Sequence, residues 1–326
     1  KENTSRPNQA DIYFARGNFL DREREYKESS RMFEKANTLT RDEFESNFEE
    51  YKSALNLNSN AIEDMPDNFE IDKNDKDLPV PLFTVGLPRA GKSTLESILS
   101  NNKLLFQFGD RKGISSAAKI YQKIDESFQI LDINNTSTFR EIRKRYLKLS
   151  KINHPDIGGD EDIMSQIVDA YKLLRNEFEG KSEDYIIPNL YRFFIEKLGG
   201  EIPAGSFTTH TSPNNILYIG VLLSQIPKSK IIYCYRNPKD HIIELYKYNL
   251  KDYLTLKTSI NELAEVILII HKLMEEYKRK FPSRIYFQNF DNLVFEPERE
   301  IKSLLSWLNW KYEKKYLTPK LIPKGM

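Results

Sequence analysis

Residues 85–99 read Val-Gly-Leu-Pro-Arg-Ala-Gly-Lys-Ser-Thr-Leu-Glu-Ser-Ile-Leu. The apolar run Leu82, Phe83 and Val85 in front predicts a buried parallel strand, and Leu95, Ile98 and Leu99 behind fall on one helical face. A strand that stops at a Gly-rich loop and restarts as a helix aims backbone amides and the positive helix end at one spot. That is how a phosphate is held. Gly86 and Gly91 permit the turn, Arg89 and Lys92 bring positive charge, and Ser93 and Thr94 bring hydroxyl donors. The plain alternative is a Gly-rich turn that holds nothing.

The spelling allows two families. Gly86 to Ser93 fits G-x-x-x-x-G-K-S, the loop of nucleotide triphosphatases and kinases. Leu-Pro-Arg-Ala-Gly also resembles the V-G-x-P-R-S-G-T-T loop of sulfotransferases, which holds the 5′-phosphosulfate of phosphoadenosine phosphosulfate (PAPS). A second segment, residues 230–249, runs Lys-Ile-Ile-Tyr-Cys-Tyr-Arg-Asn-Pro-Lys-Asp-His-Ile-Ile-Glu-Leu-Tyr-Lys-Tyr-Asn. It is similar to the sulfotransferase I-I-x-x-x-R-D-P-R-D-x-x-x-S-x-Y-x-x-N element, whose Arg and Ser bind the 3′-phosphate. Residues 212–220 resemble T-P-x-N-F-L-Y-I-G, residues 225–230 resemble L-F-P-x-A-K, and residues 290–297 resemble Y-E-D-L-V-x-x-P. The resemblance implies that Pro88, Arg89, Ala90, Gly91, Lys92, Ser93 and Thr94 hold the 5′ end of PAPS, and that Arg236 and position 244 face its 3′-phosphate. A kinase would want an acidic strand end for magnesium, whereas this strand ends Tyr235-Arg236-Asn237.

Sulfuryl transfer needs a base for the acceptor hydroxyl and positive charge for the leaving phosphate. Arg89 and Lys92 suit the second task. Two residues compete for the first. Asp110, in Phe108-Gly-Asp-Arg, stands where many relatives have Gly-Glu. His210, in Thr209-His-Thr-Ser-Pro, resembles the T-H-x-P base of cytosolic sulfotransferases with one residue added, and an ordinary imidazole titrates nearer neutral pH than an ordinary carboxylate. Against these stand two structural readings, Asp110 as a helix cap and His210 as a surface turn residue.

Three departures weaken the resemblance. Bacterial relatives commonly have Asp-Lys where His210 and Thr211 stand, which removes a cation, although Lys92 replaces a Thr of the loop. Glu244 occupies the Ser position. A carboxylate about 4 Å from a phosphate charge costs on the order of 4 kcal/mol at an effective dielectric near 20, more than one charged hydrogen bond of roughly 1.5–3 kcal/mol returns. The sequence ends Lys324-Gly-Met326, before the basic stretch with which relatives close over the cofactor, so weak cofactor binding is expected.

Gly17, Leu20, Tyr26, Ser29, Phe33 and Ala36 sit at the offsets of one tetratricopeptide (TPR) repeat, and the order repeat, linker, phosphate loop resembles bacterial TPR-sulfotransferases. Such a hairpin serves either as a surface for a protein partner or as a cap on the catalytic domain. Between the phosphate elements, Phe139 to Asn153, His154-Pro155-Asp156 and Ile163 to Leu174 resemble a J domain. Ile142, Tyr146 and Leu149 form an apolar stripe facing that of Ile163, Ile167, Ala170, Tyr171 and Leu174, and basic residues lie away from it. The resemblance implies that Arg143, Lys144, Lys148, His154, Pro155 and Asp156 engage an Hsp70 chaperone. The alternative is a fold kept as a spacer.

Composition sets outer limits. The chain has 326 residues, 39% of them apolar, enough for more than one core. With 49 basic and 48 acidic residues the net charge is +1, so no global field recruits nucleic acid. The single Cys234 allows no internal disulfide and reads as a buried thiol. No membrane span, signal pattern or metal cluster is evident, and a cytoplasmic protein is expected.

These readings combine into a three-layer α/β fold of the P-loop sulfotransferase type with a mostly parallel sheet. Expected domains are a TPR-like segment over 1–56, a linker over 57–79, the α/β domain over 80–124 and 181–326, and a J-like insertion over 125–180. The expected activity is PAPS-dependent transfer to a sugar, peptide or small-molecule hydroxyl, with PAP (phosphoadenosine phosphate) as product. The alternatives are a non-catalytic adaptor or co-chaperone and, behind it, an ATP-dependent kinase.

Overall fold

The computed structural model describes residues 9–43, 48–67, 69, 73–110, 113–182, 185–199, 201–249 and 259–318. The chain divides into two compact units, one of Lys1–Ile71, Pro79–Arg111 and Ala204–Met326, the other of Asp72–Leu78 and Lys112–Pro203. The C-terminal stretch 319–326, on which the expectation of weak cofactor binding partly rested, lies outside the described residues.

The first unit begins with α1 (Gln9–Arg22), α2 (Tyr26–Glu43) and α3 (Phe48–Ala61), followed by β1 (Val80–Val85), α4 (Lys92–Leu99) and β2 (Leu105–Gln107). The second unit contributes α5 (Gly113–Ile130), α6 (Phe139–Asn153), α7 (Glu161–Phe178) and α8 (Leu190–Leu198). The first resumes with β3 (Phe207–His210), α9 (Ile219–Gln225), β4 (Lys230–Tyr235), α10 (Pro238–Tyr246), α11 (Ile260–Lys280), β5 (Ile285–Asn289), α12 (Phe290–Phe295) and α13 (Pro297–Trp307).

The five strands run in the order β2-β3-β1-β4-β5, all parallel. Pro81 is tolerated in central β1 because pairing with β4 starts one residue later, at Leu82. Alternation sends Leu82 of β1 and Ile232 and Cys234 of β4 to one face, where Leu95, Ile98 and Leu99 of α4 and Leu304 and Leu305 of α13 complete a buried cluster. On the other face Tyr233 lies 5.8 Å, ring to ring, from His271 of α11. Helices thus cover both faces, as an all-parallel sheet requires. The chain places β3 and β2 on one side of β1 and β4 on the other, so the crevice at the strand ends opens between β1 and β4.

α1 and α2 form a tight hairpin. A Cβ on Gly17 would lie 2.7 Å from the Phe33 ring, so only glycine lets the helices approach this closely. Ser29 Oγ donates to the Gly17 carbonyl at 2.9 Å. The hairpin also grips the end of α10: Asn37 Nδ2 donates to the Tyr246 carbonyl at 2.9 Å, Asn18 Nδ2 reaches the Lys247 carbonyl at 3.4 Å, and Lys247 pairs with Asp21 at 2.8 Å. The expected linker from residue 57 starts later, because α3 continues to Ala61. Asn58 and Ser59 explain the continuation, since they bond the Leu217 carbonyl and Glu276 of α11.

In the second unit α6 and α7 pack antiparallel. Phe139 meets Phe178 at 5.5 Å and Tyr146 stacks on Tyr171 at 4.0 Å around buried Ile142. Thr138 and Glu141 cap α6 reciprocally, Asp160 caps α7, and His154-Pro155-Asp156 forms an exposed turn between them. The compact unit is wider than the expected 125–180, because α5 and α8 belong to it and Asp75 receives Arg192 at 3.0 Å. Among the described residues no helix is long and apolar enough to cross a membrane.

Candidate functional site

A cleft of about 780 Å³ opens where β1 and β4 end. One wall is the loop from Gly86 to Gly91. Arg89 takes φ +66° there, a left-handed conformation costly for a non-glycine residue, and Gly91 takes φ +86°. A Cβ on Gly91 would overlap the Phe290 ring, so the loop needs glycine at this position for space as well as conformation. Lys92 opens α4 and is buried, and its Nζ donates to the Gly86 carbonyl at 2.7 Å. Burial pushes its pKa down to about 8, against the pull of Cys234 and Asp110.

The second wall is the end of β4 with α10. Arg236 lays its guanidinium 5.5 Å from the Phe290 ring centroid and approaches Asp291 at 3.8 Å. Its buried Nε makes no hydrogen bond among the described residues. Asp291 accepts the Asn237 amide at 2.6 Å, which fixes the turn that starts α10. Glu244, two turns along, pairs with Arg89 at 3.2 Å, and Tyr248 lies under the same guanidinium at 5.0 Å. The aromatic faces hold both arginines by cation–π attraction.

Of the residues singled out from the sequence, Pro88, Arg89, Gly91, Lys92, Ser93, Thr94, Asp110, Arg236 and Glu244 all line this one cleft. Ala90 does not; it is buried in the core cluster under α4. His210 requires a correction, because its imidazole is 1% exposed and absent from the cleft lining. It stacks on Phe83 at 4.9 Å and on Phe108 at 5.5 Å, and its Nε2 meets Thr208 Oγ1 at 2.9 Å. Strand alternation is the cause: Thr209 takes the α4 side of the sheet and sends its neighbour to the opposite face. Burial pushes the His210 pKa down to about 3, so the ring is neutral and walled off from the cleft.

Two further residues shape the site, one lining the cleft and one holding its loop. Glu96, 4% exposed, lines the cleft from α4, accepts the Thr209 hydroxyl at 2.6 Å and also takes the Gly109 amide. Burial raises its pKa, and the two donated hydrogen bonds oppose the rise. Its bond to Gly109 steadies the turn that presents Asp110. Its signal in the sequence was a carboxylate one turn after Lys92, on the face that α4 turns inward. His241, buried on α10, donates from Nε2 to the Pro88 carbonyl at 2.8 Å. Burial lowers its pKa, partly countered by that bond.

Comparison with known proteins gives a profile match over residues 81–314, described as "Sulfotransferase family". An uncharacterized protein of Aquifex aeolicus is 20% identical over 308 residues, covering 91% of this chain and 34% of that protein. The chaperone protein DnaJ of Hydrogenobacter thermophilus is 36% identical over 80 residues, 22% of this chain and 22% of its own. This chain therefore spans about a third or less of those two relatives' length. Among solved structures, a sulfotransferase domain from the curacin biosynthetic pathway is 16% identical with a TM-score of 0.39, covering 75% of this chain and 78% of the other.

Proposed function

The chain belongs to the sulfotransferase family, and on that premise we propose that it moves a sulfuryl group from a nucleotide 5′-phosphosulfate to a hydroxyl of an acceptor. PAPS is the donor, and PAP the product, that the resemblance implies. The observation that carries the reading is the single cleft into which the anion loop, Arg236 and Asp110 all open. The residues fit a phosphate-bearing ligand: a Gly-rich loop at a helix start, a buried ammonium held on the loop's own Gly86 carbonyl, and a buried guanidinium nitrogen without a hydrogen bond among the described residues.

A bound phosphosulfate supplies the activated sulfur–oxygen bond. Asp110 takes the acceptor's proton as the acceptor oxygen bonds to sulfur. The old sulfur–oxygen bond breaks and its electron pair stays on the phosphate. Lys92, still mostly charged at pH 7, and Arg89 face that growing negative charge. The test is transfer of labelled sulfate, from PAPS and from adenosine 5′-phosphosulfate, to a panel of sugar, tyrosyl-peptide and small-alcohol acceptors, with Asp110→Asn as control. Transfer that falls about 100-fold in the variant supports the reading. No transfer to any acceptor favours the adaptor.

A second activity rests on the exposed turn His154-Pro155-Asp156 beside exposed Arg143, Lys144 and Lys148 on α6. The local similarity to DnaJ supports docking of an Hsp70 chaperone there. Stimulation of Hsp70 ATP hydrolysis by the chain, lost in His154→Gln, is its test. The α1–α2 hairpin is read as a cap on the catalytic domain, since Asn18, Asn37 and Asp21 are committed to the end of α10.

A further inference from the structure

We propose that the cleft selects a nucleotide with free ribose hydroxyls and discriminates against one carrying a second phosphate on the ribose. This rests on the reading of the cleft as the donor site. Among the described residues, the charged side chains lining it are three cations, Arg89, Lys92 and Arg236, and three carboxylates, Glu96, Asp110 and Glu244. One anionic end is served by the loop amides with Lys92. A second would have to draw on Arg89 and Arg236.

Arg89 is not free to serve it, which leaves Arg236, whose charge is shared with Asp291. Arg89 is engaged by Glu244 at 3.2 Å with Tyr248 on its face, and Arg236 stands against Phe290 with Asp291 at 3.8 Å. A phosphate placed between them meets a carboxylate that only accepts hydrogen bonds. A ribose hydroxyl meets the same carboxylate as a donor. Glu244 has acceptor capacity beyond its bond to Arg89, and carboxylates elsewhere recognise ribose in this way. Arg89 then holds the Glu244 carboxylate in place rather than binding a phosphate on the ribose. The donor class becomes an adenosine 5′-phosphosulfate without a 3′-phosphate.

The experiment is isothermal titration calorimetry of the full chain with adenosine 5′-monophosphate (AMP) and with PAP, in the native protein and in Glu244→Ser and Glu244→Gln. We expect the native chain to bind AMP at least as tightly as PAP, and both substitutions to shift the affinity ratio at least tenfold toward PAP. A native preference for PAP of tenfold or more overturns the proposal and leaves the donor-site reading standing. A ratio unchanged by both substitutions does the same. If neither nucleotide binds any of the three proteins, the donor-site reading and the proposal fail together.

Discussion

The imidazole of His241 donates from Nε2 to the carbonyl of Pro88 across 2.8 Å, so α10 and the Gly-rich loop are joined by a partly buried bond that crosses from β4 to β1. Among the described residues the Pro88 carbonyl accepts no second hydrogen bond. Replacing His241 with Ala leaves that acceptor unpaired and should cost about 1–3 kcal/mol. Denaturant titration measures the loss, and AMP affinity, measured in parallel, should fall with it because the loop is no longer pinned. An unchanged midpoint would mean that the bond contributes nothing.

His210 predicts an acid-sensitive fold. Its native pKa is depressed to about 3 by burial, while in the unfolded chain it takes the ordinary value near 6.5. As pH falls below 6.5 the unfolded state takes up a proton that the native state refuses. The stabilising contribution is therefore present above about 6.5 and is lost progressively as pH drops toward 3. By pH 5 the loss from this group is about 2 kcal/mol. His210→Gln should flatten the slope of stability between pH 7 and 5 without moving the acid limb of the sulfuryl-transfer rate. A shifted acid limb would return His210 to the list of bases.

The Gly-rich loop, the β4–α10 segment and the α6–α7 hairpin were legible because each depends on local patterning. Residues 82–99 carry strand, turn and helix signals within one window, and Thr138, Glu141 and Asp160 mark helix starts where the structure has them. What could not be read depended on which way a side chain points across the sheet. His210 and Asp110 are both chemically suited to the base, and only the register of β3 against β1 turns one into the stack of Phe83 and Phe108. Glu96 was missed for the same reason, since its partner Thr209 is 113 residues away. The Arg89–Glu244 pair, 155 residues apart, turned an apparent defect in a phosphate site into an ion pair.

Asn37 tests the role of the helical hairpin. Its Nδ2, in a buried side chain, donates to the Phe33 carbonyl and to the Tyr246 carbonyl, each at 2.9 Å, and the second is one of the last-turn carbonyls that a helix cannot satisfy by itself. Asn37→Ala should destabilise the chain by about 1–3 kcal/mol. A cap also predicts that proteolysis of the α1–α2 hairpin lowers AMP affinity through α10. Full affinity after its removal would favour a separate partner-binding element.

Arg89 separates strain from function. At φ +66° a non-glycine residue carries roughly 1–2 kcal/mol of backbone strain, which glycine removes while adding about 0.5–1 kcal/mol of unfolded-state entropy. The Glu244 pair is half exposed on the arginine side and adds at most about 1 kcal/mol. These effects nearly cancel, so Arg89→Gly should leave the unfolding free energy within about 1 kcal/mol of the native value. Nucleotide binding has no such compensation. The variant frees the Glu244 carboxylate to face the ligand without its counter-charge, and PAP affinity should fall at least tenfold while AMP affinity falls less. Equal losses for the two nucleotides would show that Arg89 contacts the 5′-phosphate common to both, and that Glu244 is a bystander.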